Sequence, residues 1–161
     1  MPRIADLTAG VSAALERELR ALRDDWAIRK SVAQNYGQLL QELASLARLP
    51  AAVIVPGSGN FPQDGLSAEL SVAVILIDCF TASQPGRVAG VQQLLDRTIE
   101  YFHPVRDLGE HGYARPGRFY PVEVDEQYAA LALELSVYVP FDTEWNCEKQ
   151  QEVCAKWQAG F

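Results

Sequence analysis

The stretch Ala68 to Phe80, AELSVAVILIDCF, limits the possible folds more than any other part of the chain. It opens as a strict alternation, with Leu70, Val72 and Val74 on one side and Glu69, Ser71 and Ala73 on the other. From Ile75 onward both sides are apolar. A strand with one wet face alternates throughout, and a strand buried on both faces is apolar throughout. This strand therefore belongs to a sheet covered along its whole length on one face and along part of its length on the other. The partial cover is either an element of the same chain or a neighbouring subunit.

Helices to cover the first face can be read on both sides of this strand. Ile4, Leu7, Val11, Leu15, Leu19 and Leu22 recur at helical spacing, with Glu16, Arg17, Arg20 and Arg23 between them. The segment RDDWAIRKSVAQNYG shows no clear period. QLLQELASLARLP predicts a second helix, with Leu39, Leu43 and Leu46 on one side and Pro50 as its stop. AAVIV reads as a short buried strand closed by the loop PGSGNFPQDG. A third helix carries Val88, Val91, Leu95, Ile99 and Phe102 on one face and Gln92, Gln93, Asp96, Arg97 and Glu100 on the other, and Pro104 ends it.

RDLGEHGYARPGR, rich in glycine and proline, reads as a long surface loop or an extended arm, with residues 107–117 expected to be poorly ordered or extended in an isolated subunit. RFYPVEV and YAALALELSVYVP are strands joined by DEQ as a hairpin. In the second, Leu131, Leu133, Leu135, Val137 and Val139 point one way and Ala130, Ala132, Glu134, Ser136 and Tyr138 the other. These elements describe a single α+β domain over residues 1–140, a mostly antiparallel sheet with amphipathic helices on one face. Residues 141–161 form a helical or extended tail. Leu133, Leu135, Val137, Val74, Leu76, Leu95 and Ile99 are expected in one core.

Composition narrows the class. With 161 residues, 48% hydrophobic and 22% charged, the chain has enough apolar content for a real core and is not disordered. A net charge of −7 argues against a general nucleic-acid binder, although an acidic surface can line a passage through which DNA slides. No apolar run approaches the roughly 20 residues of a membrane span, and MPRIADLTAGV lacks the apolar core of a secretory signal. The three cysteines form no CxxC pair and suggest reduced thiols in a cytoplasm.

The residues that could carry chemistry do not form a known pattern. Gly57 and Gly59 follow a strand as in a dinucleotide fingerprint, but Pro62 stands where the third glycine belongs, so a tight turn is expected. Ser58 lies between Gly57 and Gly59 but is no nucleophile elbow, since GxSxG needs glycine where Pro56 and Asn60 stand. His103 and His111, with Asp107 and Glu110 nearby, match no metal-ligand spacing. Cys147 and Cys154 are seven apart, about 10.5 Å of helical rise, too far to bond. Asp78, near the end of the apolar strand, is either a buried acid or, more commonly at such a place, a strand-end residue facing solvent. No catalytic residue, cofactor or metal is called for. Arg106, Arg115 and Arg118 make a modest basic patch, either a solvated loop or an inter-subunit arm.

The order of elements resembles the tail-terminator proteins of long-tailed bacteriophages, of the Mu-like prophage minor tail type. The resemblance rests on the N-terminal helix, RLPAAVIVPGSG, LSVAVILIDCF, GRVAGVQQLLDRTIEYF and RFYPVEVDEQYAALALELSVYV, which together span most of residues 1–140. It implies a non-enzymatic virion component: a hexameric ring that caps the tail tube, ends its polymerisation and meets head-completion proteins. The partners implied are further copies of the chain, the tail-tube protein, the head-completion proteins and DNA in transit, with no membrane. The location implied is the host cytoplasm during assembly and then the virion tail. Arg106, Glu110, His111, Arg115, Arg118, Trp145 and Trp157 are the candidate subunit-interface residues. Two other readings stand beside this one: a small-ligand or adaptor domain, and an enzyme using the 57–65 loop with His111 or Asp78.

Overall fold

A computed structural model describes residues 4–31, 50–63, 65–79, 86–122 and 128–141. The helix expected around Leu39, Leu43 and Leu46, the turn at 123–127, and the tail with Trp145, Cys147, Cys154 and Trp157 lie outside these residues. The rest is an α+β domain: a six-stranded mixed sheet in the order β1-β2-β3-β6-β5-β4, with two described helices on one of its faces.

Helix α1 (Ile4–Leu22) buries Val11, Ala14, Leu15 and Leu19. Asp6 in its first turn and Arg20 in its last complement the helix dipole. Past its end, Trp26 folds back, and its indole Nε1 donates to the Leu19 carbonyl at 3.0 Å. The Arg23 N–H donates to the same carbonyl at 3.0 Å, so the helix end is capped without a glycine. The turn leads into β1 (Ala27–Lys30), in which only Ile28 is fully buried. One buried position in four gives no readable period, and the sequence reading left this strand out.

Strand β1 runs parallel to β2 (Ala51–Asn60), and every other pairing is antiparallel. β2 extends five residues beyond the AAVIV segment. Gly59 pairs with Leu70 and Asn60 with Glu69, after a bulge between Pro56 and Gly59. The tight turn expected at Gly57 and Gly59 is therefore a strand. A Cβ on Gly59 would lie 2.9 Å from the Glu69 carbonyl, so the glycine marks close backbone approach and not chain reversal.

The central ladder joins β3 (Ser67–Cys79) to β6 (Tyr128–Pro140), in register along the full length of both strands. One face carries Leu70, Val72, Val74, Leu76, Leu133, Leu135, Val137 and Val139, all buried. Helix α2 (Gly86–Phe102) lies on this face over β3, β5 and β6, and inserts Leu94, Leu95 and Phe102. Helix α1 covers the β1–β2 side. Thr98 is buried inside α2 and donates its hydroxyl to the Leu94 carbonyl at 2.7 Å. The core expected from periodicity is present, with Ile99 half-buried at its margin.

The opposite face holds a second cluster of Val53, Ile75, Ile77, Val122, Ala130 and Ala132, which includes no residue of α1 or α2. Ile75 and Ile77 are 3% and 1% exposed within a single copy of the chain. Cover by a neighbouring subunit is therefore not needed, and the two-sided half of β3 offers no surplus apolar surface.

The segment expected to be a surface loop or an extended arm is packed on the domain, and from Tyr113 it is extended as paired strand. It contains β4 (Arg106–Asp107), a 3-10 turn at Gly109–His111, and the start of β5 (Tyr113–Pro121). Leu108 is buried and anchors it; its N–H donates to the Gly112 carbonyl at 2.7 Å, and the Gly109 N–H donates to Asp107 Oδ1 at 2.8 Å. Gly112 has φ of 89°, and a Cβ there would sit 1.8 Å from the Tyr138 carbonyl. The glycines that read as breakers thus allow a tight crossing over β6. β4 pairs only with Tyr113 and Ala114; beyond Ala114 no described strand lies on the outer edge of β5.

Two substitutions test this packing in denaturant unfolding. Leu95→Ala should destabilise by ~2–5 kcal/mol through the cavity it leaves; a loss under about 0.5 kcal/mol would show that α2 does not pack on the sheet. Gly112→Ala should cost at least about 2 kcal/mol, from left-handed strain and the clash with Tyr138. A neutral result there would remove the crossing just described.

Candidate functional site

The wet half of the second sheet face lies at the end of β3 opposite Ile77. Alternation places Glu69 and Ser71 of β3, Glu134, Ser136 and Tyr138 of β6, and Tyr113, Arg115 and Arg118 of β5 on this side. The Ser136 hydroxyl donates to Glu69 Oε1 at 2.7 Å, which ties the two central strands across the face. Arg118 Nε donates to Glu134 Oε2 at 3.1 Å, and its guanidinium lies 5.2 Å from the Tyr120 ring centroid.

Two adjoining hollows occupy this surface and share Glu69 and Ser136. The first, about 220 Å³, draws Ser58 and Asn60 from β2 and Gly117 from β5 to either side of β3 and β6, so the curled sheet is concave here. The second, about 350 Å³, is lined by Val105, Tyr113, Arg115 and Tyr138. Tyr113 and Tyr138 are direct cross-strand partners, and with Val105 they are 50%, 39% and 51% exposed. Arg115 opposite Ser136 is exposed and makes no ion pair among the described residues. The site thus joins an apolar and aromatic end to a polar, carboxylate-bearing end on rigid strands.

The structure separates the residues singled out from sequence. Arg115 and Arg118 reach this face. Arg106 points to the other one, where it closes a cluster with Glu18 and Tyr101. Its Nε donates to Glu18 Oε2 at 3.0 Å and its terminal nitrogen to the Tyr101 oxygen at 2.7 Å, while the Tyr101 hydroxyl donates to Glu18 Oε2 at 2.7 Å. The guanidinium carbon stands 3.8 Å from the Tyr101 ring centroid. The cluster staples α1, α2 and β4 together, so Arg106 is committed within its own chain. Glu110 is exposed, and its Oε1 lies 3.5 Å from Nε2 of His111. His111 leans on α1 at Gly10, where a Cβ would lie 2.7 Å from its ring. Trp145 and Trp157 are outside the described residues.

The end of β2 and Asp78, one pairing considered for an enzyme, do not come together. The end of β2 lies beside Glu69 and Leu70, whereas Asp78 is nine residues along β3, about 30 Å at strand rise. Asp78 faces α2, with an oxygen 3.7 Å from a Cβ built on Gly90. Among the described residues no group of three His, Cys, Asp or Glu side chains is placed to hold a metal. Val105, Tyr113 and Tyr138 were missed as a site because register alone joins them. The signal for Tyr138 was its place on the wet side of β6.

No protein-family model matches the chain, and a search of curated proteins finds no relative.

Burial, and then the hydrogen bond to Glu18, push the Tyr101 phenol above its ordinary value. A raised folded value means stability that is fully present below the unfolded pKa and lost as pH rises from about 10 through the raised value. Tyr101→Phe should be weaker than wild type by about 1 kcal/mol at neutral pH, yet lose less stability than wild type above pH about 10. Parallel alkaline losses in the two proteins would contradict this assignment.

Proposed function

We propose that the chain is a non-enzymatic structural subunit of a phage or phage-like tail. In this reading it forms a hexameric ring that caps the tail tube, ends its polymerisation and presents a face to head-completion proteins. DNA passes through the ring only in transit. The observation that supports it is the exposed Val105, Tyr113 and Tyr138 cluster beside Arg115, because Tyr and Arg are the residues that concentrate in protein–protein interface cores. The element order that resembles tail terminators supports it independently.

The contact surface in this reading is rigid sheet and not a mobile arm, since β4, the 3-10 turn and β5 are packed. A ring needs heterologous contacts that close, and a preformed surface fixes the angle between neighbours. No described helix is long and apolar enough to cross a membrane. A second reading, a small-ligand or adaptor domain, is favoured by the 350 Å³ hollow on the same face. Solution mass separates the two: a ring protein assembles to a hexamer alone or on its tube, and an adaptor stays a monomer or dimer.

Deleting the gene from a tail-producing strain and imaging the particles tests the proposal directly. Overlong, headless tubes are expected; tails of normal length joined to heads would sink it. Arg115→Glu should leave the fold intact and weaken subunit association by ~0.2–1 kcal/mol per contact, repeated around the ring. The same reversal at Arg118 also breaks its pair with Glu134, so Arg115 is the cleaner probe.

A further inference from the structure

The register of β5, β6 and β3 sets out the open sheet face as a small lattice of side chains. One row reads Tyr113, Tyr138, Glu69 and the next reads Arg115, Ser136, Ser71. Neighbours in a row stand about 5 Å apart and the rows about 7 Å. Tyr113 and Tyr138 are exposed and give the larger hollow an aromatic floor, with Val105 beside them. The second row is polar. The Ser136 hydroxyl donates to Glu69 at 2.7 Å on one side and has Arg115 as its register partner on the other. That bond does not exhaust Glu69, because a carboxylate offers about four acceptor sites. Glu69 and Ser136 also line the smaller hollow, so the two hollows make one furrow, continued by Asn60 and Glu134. The charges along it cancel: the carboxylates of Glu69 and Glu134 are matched by Arg115 and by Arg118, which is bonded to Glu134.

Three features select a ligand class. Charge balance favours a neutral molecule. An exposed pair of tyrosine rings favours a flat ligand face of C–H groups, which the negative face of an aromatic ring attracts. A carboxylate that only accepts and a guanidinium that only donates, set around one serine, favour groups that do both. Adjacent hydroxyls on a ring are such groups. From Ser136 to Tyr138 the main chain of β6 is paired on both sides, so an extended peptide gains no strand partner here and recognition falls to side chains. We propose that the furrow binds a neutral saccharide. One pyranose ring stacks on Tyr113 and Tyr138, its hydroxyls are shared between Glu69 and Arg115, and a second ring reaches Asn60 and Glu134. The larger hollow, about 350 Å³, has room for the first ring. This inference rests on the small-ligand reading of the sheet face and names its ligand.

The test is saturation-transfer NMR on the full chain with cellobiose, maltose, lactose and N,N′-diacetylchitobiose, which reads ligand protons at any assembly size. Light scattering gives the mass of the same sample. At least one disaccharide should bind saturably with a Kd of about 5 mM or tighter, and its ring C–H protons should receive the most saturation. Glycerol, which has hydroxyls but no ring face, should give no saturable signal. Tyr113→Ala and Arg115→Ala, both at exposed positions, should each weaken binding about tenfold or more. Arg20→Ala, on the exposed side of α1, should leave it unchanged. The inference is overturned if none of the disaccharides gives a saturable signal by about 50 mM, or if both sheet-face variants bind as wild type does; with the chain a monomer, the small-ligand reading itself survives that result. A chain that assembles and falls back to monomers on Tyr113→Ala shows the face to be a contact between copies. In that case the small-ligand reading fails, and the saccharide site with it.

Discussion

The pairing of β3 with β6 is the constraint on which the rest of the structure depends. These strands lie at the centre of the sheet and match residue for residue from Ser67–Pro140 to Cys79–Tyr128. Because side chains alternate, that one register sends Leu70, Val72, Val74 and Leu76 to the same face as Leu133, Leu135, Val137 and Val139. It also sends Ile75, Ile77, Ala130 and Ala132 to the other face, together with Glu69, Ser71, Glu134 and Ser136. A slip of one residue would put the carboxylates under the helices. The buried half and the wet half of the second face are therefore two consequences of one ladder, and the break in alternation at Ile75 is its trace in the sequence.

What was legible in the sequence is what this alternation and the helical period encode. Leu95 under α2 and Leu135 in β6 could be placed because each sits in a long run with one period. β1 was not legible, since Ile28 is its single buried residue. Glycine was misread for a consistent reason. At Gly59 and Gly112 it marks backbone passing close to backbone, and in one dimension that is the same letter as a flexible break. The segment between Arg106 and Gly117 reads as loop or extended arm and not as paired strand on that account, and the buried Leu108 that anchors it stands alone among polar neighbours. Of the sheet-face site, Arg115 could be singled out by charge. Tyr113 and Tyr138 become neighbours only through the β5–β6 register, which no local pattern reveals.

A rigid surface has different energetics from a mobile arm. An arm that orders on contact spends part of its interaction energy on lost conformational freedom. Here Gly112, Leu108 and the Glu18–Tyr101–Arg106 staple order the segment before any partner arrives. Docking on the Tyr113–Tyr138 face would then approximate rigid bodies meeting, with affinity governed by side-chain fit.

The short pairing of β4 has a consequence for how copies of this chain can and cannot meet. From Arg115 to Pro121 the outer border of β5 has no described neighbour, and such a border ordinarily invites a foreign strand to add on. Pro116 and Pro121 carry no amide hydrogen to offer, the irregularity around Gly117 breaks the spacing of the rest, and Arg115 and Arg118 add like charge. Main-chain zippering from one copy to the next is thereby suppressed. A fold that refuses indefinite stacking through its backbone leaves any contact between copies to side-chain surfaces.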